Sequence, residues 1–404
     1  MRNSFHFRSA RFVLCLLACG GLVASVATSS STAADSTLAK VDTGKLNDAV
    51  NRAADYFKQA QAKDGSFSAS SGTGVTSLVG TALLRSGRTP EDPVVAKILK
   101  YLESNVHADG GIYQHGSNHK NYETCVAVVC FHEANRDHRY DKLLANAEKV
   151  LKKEQWDETE GKDPSDLYYG GAGYGKANSR PDLSNTSFLV DALHSVGVGK
   201  DDPAMQKALI FVSRCQNLES ADNTSPFAAK VNDGGFYYTV AAGGSSPAGK
   251  TADGGLRSYG SMTYSGLKSM IYAGVTKDDP RVKAAVGWIE KHYTLDDNPG
   301  MGMQGLYYYY HTFAKALAAI GNPELVDSKG KSHDWRDDLA DKLIADQKPD
   351  GSWVNRAPRW LEGDPNLVTA YALICLSYCR EPQAKSPPIN HIFTPDIPAG
   401  ARKR

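Results

Sequence analysis

The chain has 404 residues, 41% of them hydrophobic, with 46 Lys and Arg against 45 Asp and Glu. That apolar content is enough for a large core and excludes general disorder. A net charge of +1 excludes a nucleic-acid surface, which needs a strong basic bias.

Residues 1–34 read as an export signal. Arg2, Arg8 and Arg11 form a basic start, Phe12 to Ala27 an apolar run, and Ser25-Val26-Ala27 or Thr32-Ala33-Ala34 a small-residue cleavage site. The apolar run of roughly 16 residues is short of the about 20 that span a bilayer, and no later segment suggests a transmembrane span. Leu16-Leu17-Ala18-Cys19 resembles a lipoprotein processing box, so lipidation of Cys19 stands as an alternative to plain cleavage. Either way the protein is expected to be exported: periplasmic, extracellular or lipid-anchored. Cleavage after Ala34 removes three basic residues and no acidic one, leaving 43 against 45. Five cysteines remain, Cys125, Cys130, Cys215, Cys375 and Cys379. They sit in or at the end of apolar runs, which points to buried small residues and away from a disulfide framework or structural zinc.

Beyond the signal, an internal repeat organises the sequence. In chain order, an amphipathic helix at Leu46–Ala62 precedes an apolar helix beginning at Thr76, Pro93–Ser104 precedes Thr124, and Tyr140–Gln155 precedes Thr186. Pro203–Cys215 then precedes Thr263, Pro280–His292 precedes Thr312, and Trp335–Asp346 precedes Thr369. The Asp-Pro pairs at Asp92, Asp202 and Asp279 supply an N-cap and a pre-formed first helical residue. Between the helices of each pair lies a Gly-rich aromatic loop, such as Asp233-Gly234-Gly235-Phe236-Tyr237. The 37 Gly, and the 20 Tyr against 12 Phe, concentrate in these loops. The six Thr stand 48, 62, 77, 49 and 57 residues apart, the variation falling in the loops. Six outer and six inner helices predict an all-α fold, an α6/α6 toroid over residues 46–380, closed by packing the sixth repeat on the first. Neither terminal inner helix is polar enough to cap an open solenoid. Residues 381–404 are Pro-rich and end Arg402-Lys403-Arg404, which reads as an extended or disordered tail.

Gln347-Lys348-Pro349-Asp350-Gly351-Ser352-Trp353 fits the Q-x-x-x-G-x-W motif of the squalene cyclases, and Gln61 to Phe67, with Gly65, is a second copy with Phe for Trp. Tyr309-Tyr310-His311-Thr312 is similar to the segment around the zinc-binding His of protein prenyltransferase β subunits. Residues 46–380 thus resemble the prenyltransferase and squalene-oxidase repeat family, whose members form α6/α6 toroids. The resemblance implies a fold; the motif residues Gln61, Gly65, Phe67, Gln347, Gly351 and Trp353 tie each outer helix to the loop after it and are structural.

The family's chemistry is a separate matter. The acidic D-x-D-D motif of squalene and hopene cyclases is absent, and the chain has length for one α-domain where those enzymes have two. Asp337-Asp338-Leu339-Ala340-Asp341 matches a magnesium motif of other terpene enzymes but lies on an outer helix, where acids near the N-terminus suit the helix dipole. The stretch Ser258 to Tyr264, where a prenyltransferase's Asp and Cys ligands would fall, holds neither, and His311 alone cannot hold catalytic zinc. No metal and no cofactor are expected.

The candidate site is the mouth of the ring. Tyr122, Asn185, Tyr259, Tyr264 and Tyr309 are expected to line a ligand-binding cleft. Glu123, Tyr310 and His311 are candidates for acid–base catalysis; the competing reading has them satisfying helix ends and filling the funnel. Asp191 and His194 lie one turn apart on an inner helix and either line the cavity or pair with each other. Two functions follow. One is a binding or scaffold toroid for an apolar, glycan or peptide ligand. The other is an enzyme, of isoprenoid cyclase or transferase type by resemblance, or a polysaccharide lyase using His311 and tyrosines.

Overall fold

The computed structural model describes residues 42–176, 179–321 and 324–380. The expected signal segment, with Cys19, and the tail at 381–404 lie outside the described residues.

The amphipathic segments form the helices α1 (Thr43–Ala60), α3 (Pro93–Glu103), α5 (Asp141–Lys153), α7 (Pro203–Arg214), α10 (Pro280–Lys291) and α12 (Trp335–Asp346). The apolar segments form α2 (Gly74–Arg85), α4 (Lys120–Ala134), α6 (Leu183–Ser195), α9 (Gly260–Tyr272), α11 (Leu306–Ile320) and α13 (Pro365–Cys379). A single helical turn, α8 (Ala228–Val231), lies in the loop before α9. The Asp-Pro starts work as the sequence predicts: Asp92, Asp202 and Asp279 each accept from the backbone two residues on, at 2.8–2.9 Å.

Helix contacts close a ring. The inner helices pack in the order α2, α4, α6, α9, α11, α13, and α13 packs back on α2. Each outer helix lies against its inner neighbours: α3 on α2, α5 on α4, α7 on α6 and α9, α10 on α9, and α12 on α13. The seam is completed by α1, which contacts both α12 and α13. Tyr56 of α1 donates to Asn366 Oδ1 at 2.9 Å, and Arg85 of α2 donates to the Tyr378 hydroxyl of α13 at 2.6 Å. The fold is therefore all-α, a closed α6/α6 toroid, and it follows from burying the apolar helices inside the amphipathic ones. The five cysteines of the described residues are all buried and unpaired. No described helix is long and apolar enough to cross a membrane.

Two details depart from the expected boundaries. The first outer helix stops at Ala60, short of the expected Ala62, because Gln61 takes an extended backbone as the helix C-cap; the last ends at Asp346 as expected, with Gln347 as an extended C-cap of the same kind. A short antiparallel hairpin, β1 (Glu324–Val326) and β2 (Ser332–Asp334), also joins α11 to α12.

Candidate ligand site at the mouth of the ring

The rim is built from a repeated set of side-chain bonds. Gln347 Nε2 donates at 2.9 Å to the Gly351 carbonyl in its own loop and at 2.9 Å to Ala49 of α1, across the seam. Gln61 does the same toward Gly65 and Val94 of α3. The sequence reading missed two more copies: Gln155 reaches Gly170 and Ala204, and Gln216 reaches Gly234 and Arg281. Their longer loops hide the spacing. Gly351 has φ +86°, and a Cβ there would lie 2.3 Å from the Arg52 carbonyl of α1, so only glycine lets loop and helix approach this closely.

The repeated threonines have a task beyond starting helices. In five repeats the Thr Oγ1 accepts from a loop amide at 2.9–3.1 Å: Thr76 from Phe67, Thr124 from Ile112, Thr186 from Ala172, Thr263 from Phe236 and Thr369 from Trp353. Thr312 instead donates to the Tyr309 carbonyl. Trp353 is buried and donates its indole N–H to Leu343, and Phe67 packs edge-on against Phe57.

The sequence-predicted site residues divide in two. Glu123 Oε2 accepts from the backbone and hydroxyl of Thr73, both at 2.8 Å, and from Gln114 at 2.9 Å, while Oε1 takes the Ser117 hydroxyl. It thus caps the neighbouring helix α2, where a carboxylate suits the positive end. The structure does not pair it with His311. Tyr309 and Tyr310 give their hydroxyls to the carbonyls of Thr294 and Leu295, so both point into the packing toward the loop that follows α10. Tyr264 is buried between Tyr309 and Phe313. Asn185 is tied to the cap residue Asp182 through backbone and side chain at 2.9 Å. Tyr259 is buried at the N-cap of α9.

Tyr122 and His311 do meet an aromatic funnel. His119 and Tyr174 lie edge to face at the surface, Tyr174 being 39% exposed. From there the rings run through Tyr122, Phe188, Tyr308 and Tyr371 to His311, with successive centroids 5.1–6.3 Å apart. The Tyr308 hydroxyl shares a 2.9 Å bond with Ser184, and the Tyr122 and Tyr371 hydroxyls interact with each other. Burial holds all three phenols above the ordinary tyrosine value, so they stay neutral. Sequence reasoning passed over Tyr308 and Tyr371.

Below the funnel, on the ring axis, lies a buried ion cluster. Asp191 of α6 accepts from Lys268 of α9 and from Lys315 of α11, the latter at 2.5 Å. Lys268 also donates to the Ser187 hydroxyl at 2.7 Å and to its carbonyl at 3.2 Å. His194 does not pair with Asp191; it stacks on Tyr272 at 3.9 Å. Burial alone would raise the Asp191 carboxyl, but the two ammonium groups outweigh it and hold the group below the usual carboxylate range. Burial, with Lys315 close by, lowers Lys268 to about 8 despite Asp191. Burial and Lys315 likewise keep His311 neutral. Among the described residues no group of acids, histidines and cysteines is placed to hold a metal. Asp338, from the magnesium-like string, is taken by Tyr293 and His333.

No family model matches the chain, and no curated protein does. Among solved structures the chain is similar to the type II terpene cyclase MstE of Scytonema, at 16% identity over 83% of this chain and 97% of that one, with a TM-score of 0.32. A variant of that cyclase in complex with geranylgeranyl dihydroxybenzoate aligns at 14% identity over 83% and 97% of the two chains, with a TM-score of 0.30. A protein from Actinoplanes aligns at 13% identity over 83% and 99%, with a TM-score of 0.37. Overlaps this small say nothing of chemistry, and the closed ring rests on the helix contacts given above.

Proposed function

We propose that the protein is an exported binding toroid of the squalene cyclase and prenyltransferase repeat type, which takes an apolar-bodied ligand with a hydrogen-bonding end at the mouth of its ring. The observation that supports this reading is the aromatic funnel. Tyr122, Phe188, Tyr308 and Tyr371 offer a continuous apolar wall with three neutral hydroxyls, the pairing of apolar area and a few convergent polar groups that marks small-molecule sites. Export is supported by the basic and apolar start of the sequence, and N-terminal sequencing with mass spectrometry of the mature protein distinguishes cleavage after Ala34 from a lipidated Cys19.

Titration calorimetry with three probes tests the site: a long-chain isoprenoid alcohol, a neutral oligosaccharide and a short peptide. The isoprenoid alcohol is expected to bind and to lose about tenfold or more in affinity on Tyr308→Ala. Affinity unchanged by both Tyr308→Ala and Tyr122→Ala would remove the funnel from the account. A second reading, elimination on a polysaccharide, is favoured by the neutral imidazole of His311 beside Tyr371. Ultraviolet-absorbing unsaturated products from anionic glycans, lost in His311→Ala, would support it; the absence of products would end it.

A further inference from the structure

A void lies on the axis of the ring, walled by α2, α4, α6, α11 and α13. Its lining includes the polar groups Arg85, Asp191, His311 and Lys315 together with apolar residues such as Val126 and Ile374. Its volume is about 20 Å³, room for one small guest.

The groups around it are out of balance in charge and in hydrogen bonding. Arg85, Lys268 and Lys315 bring three positive charges, while Asp191 and Glu133 bring two negative ones. His311 and His194 are both shifted toward the neutral form, chiefly by burial. A net positive charge is therefore buried on the axis, and a buried charge without a counter-charge is costly.

The donor count points the same way. Lys268 is fully engaged by Asp191 and Ser187. Lys315 donates to Asp191 alone among the described residues, which leaves two of an ammonium's three N–H bonds. Arg85 bonds Glu133 through Nε and Tyr378 through Nη1, leaving further guanidinium N–H groups. His311 is 5% exposed, and its Nδ1 has no hydrogen-bond partner. Each Asp191 oxygen already accepts from a lysine. The void thus presents spare donors and one surplus positive charge, and asks for a guest that only accepts and is itself negative.

We propose that this void is a binding site for a single halide ion, chloride under ordinary conditions, held by Lys315, Arg85 and His311 on the axis of the ring. The site lies at the foot of the aromatic funnel and shares Phe188 and His311 with it. The charge and donor balance that calls for the ion is set by the buried lysines and Arg85 and not by what binds above. The ion completes the charge balance and ties α2 to α11, inner helices that are not neighbours in the ring.

The test uses the full mature chain. Thermal unfolding is followed in sodium chloride, sodium bromide and sodium gluconate at equal ionic strength. Above the dissociation constant, melting temperature should rise by about 2 °C per tenfold increase in chloride or bromide and stay level in gluconate. Lys315→Met should abolish the difference between salts. Crystals grown in bromide should show an anomalous peak between Lys315, Arg85 and His311, a measurement that stands even if Lys315→Met does not fold. Equal melting in all three salts, salt dependence that persists in Lys315→Met, or a water at the site with no bromide signal would each overturn the proposal.

Discussion

Replacing Gly351 by Ala attacks the seam of the ring at a single atom. Gly351 has φ +86°, and the new Cβ would meet the Arg52 carbonyl of α1 at 2.3 Å, far inside van der Waals contact. Gly321, at φ +77° with nothing within 4 Å of a built Cβ, suffers the left-handed strain without the collision. That strain alone costs about 1–2 kcal/mol. At Gly351 the backbone must also retreat from α1, and the two bonds of Gln347 to Ala49 and Gly351 lengthen with it, each worth about 0.5–1.5 kcal/mol. Gly351→Ala is therefore expected to lose about 2–5 kcal/mol, at least about 1 kcal/mol more than Gly321→Ala. Urea unfolding by circular dichroism, with both variants at equal concentration, measures the difference. If the ring were open at this point, Gly351 would face solvent and the two variants would fall together. Equal losses would refute the closed seam.

Asp191→Asn removes the counter-charge of two buried lysines and should cost about 3–5 kcal/mol, with part regained in Asp191→Leu combined with Lys268→Met and Lys315→Met. The pH dependence has a definite sign at both ends. Asp191 is held below its unfolded value, so its contribution is present above about pH 4 and is lost as pH falls toward the folded value. Lys268 is lowered to about 8, so burying its charge is a penalty at neutral pH that is relieved as pH rises above about 8; Lys268→Met should remove this alkaline gain from the urea midpoints. Thr369→Val should cost about 1–3 kcal/mol by orphaning the buried Trp353 amide, whereas Thr312→Val, which holds no loop amide, should cost less in the same thermal assay.

The ring was legible because its signals are local and repeated: Asp-Pro helix starts, apolar runs after Thr, and glycine loops between them. The site was less legible because four tyrosines stand in a row at Tyr307–Tyr310, and successive residues of a helix point about 100° apart. Which of them faces the axis depends on how α11 is rotated against its neighbours. The usable signal was the run Tyr308, His311 and Lys315, spaced three and four apart on one face. Lys315 deep in an apolar helix, like Asp191 and Lys268 in theirs, marks an interior partner, but only packing reveals which helices supply it. The same holds for Glu123 and Glu362. Each caps a helix that is not its own, Glu362 through the amides of Tyr307 and Tyr308, and no spacing within one segment announces that.

The glutamine bonds at the rim have a bearing on how such proteins diversify. Gln61 and Gln347 reach a glycine four residues on, whereas Gln155 spans 15 residues and Gln216 spans 18 to make the same bond. The clasp at the base of each loop is thus indifferent to what is threaded between its two halves. Foreign segments can be grafted between Gln155 and Gly170, or between Gln216 and Gly234, without asking the helices to move. The barrel of helices is then a chassis, and specificity is free to evolve in the inserts while the inherited framework stays fixed.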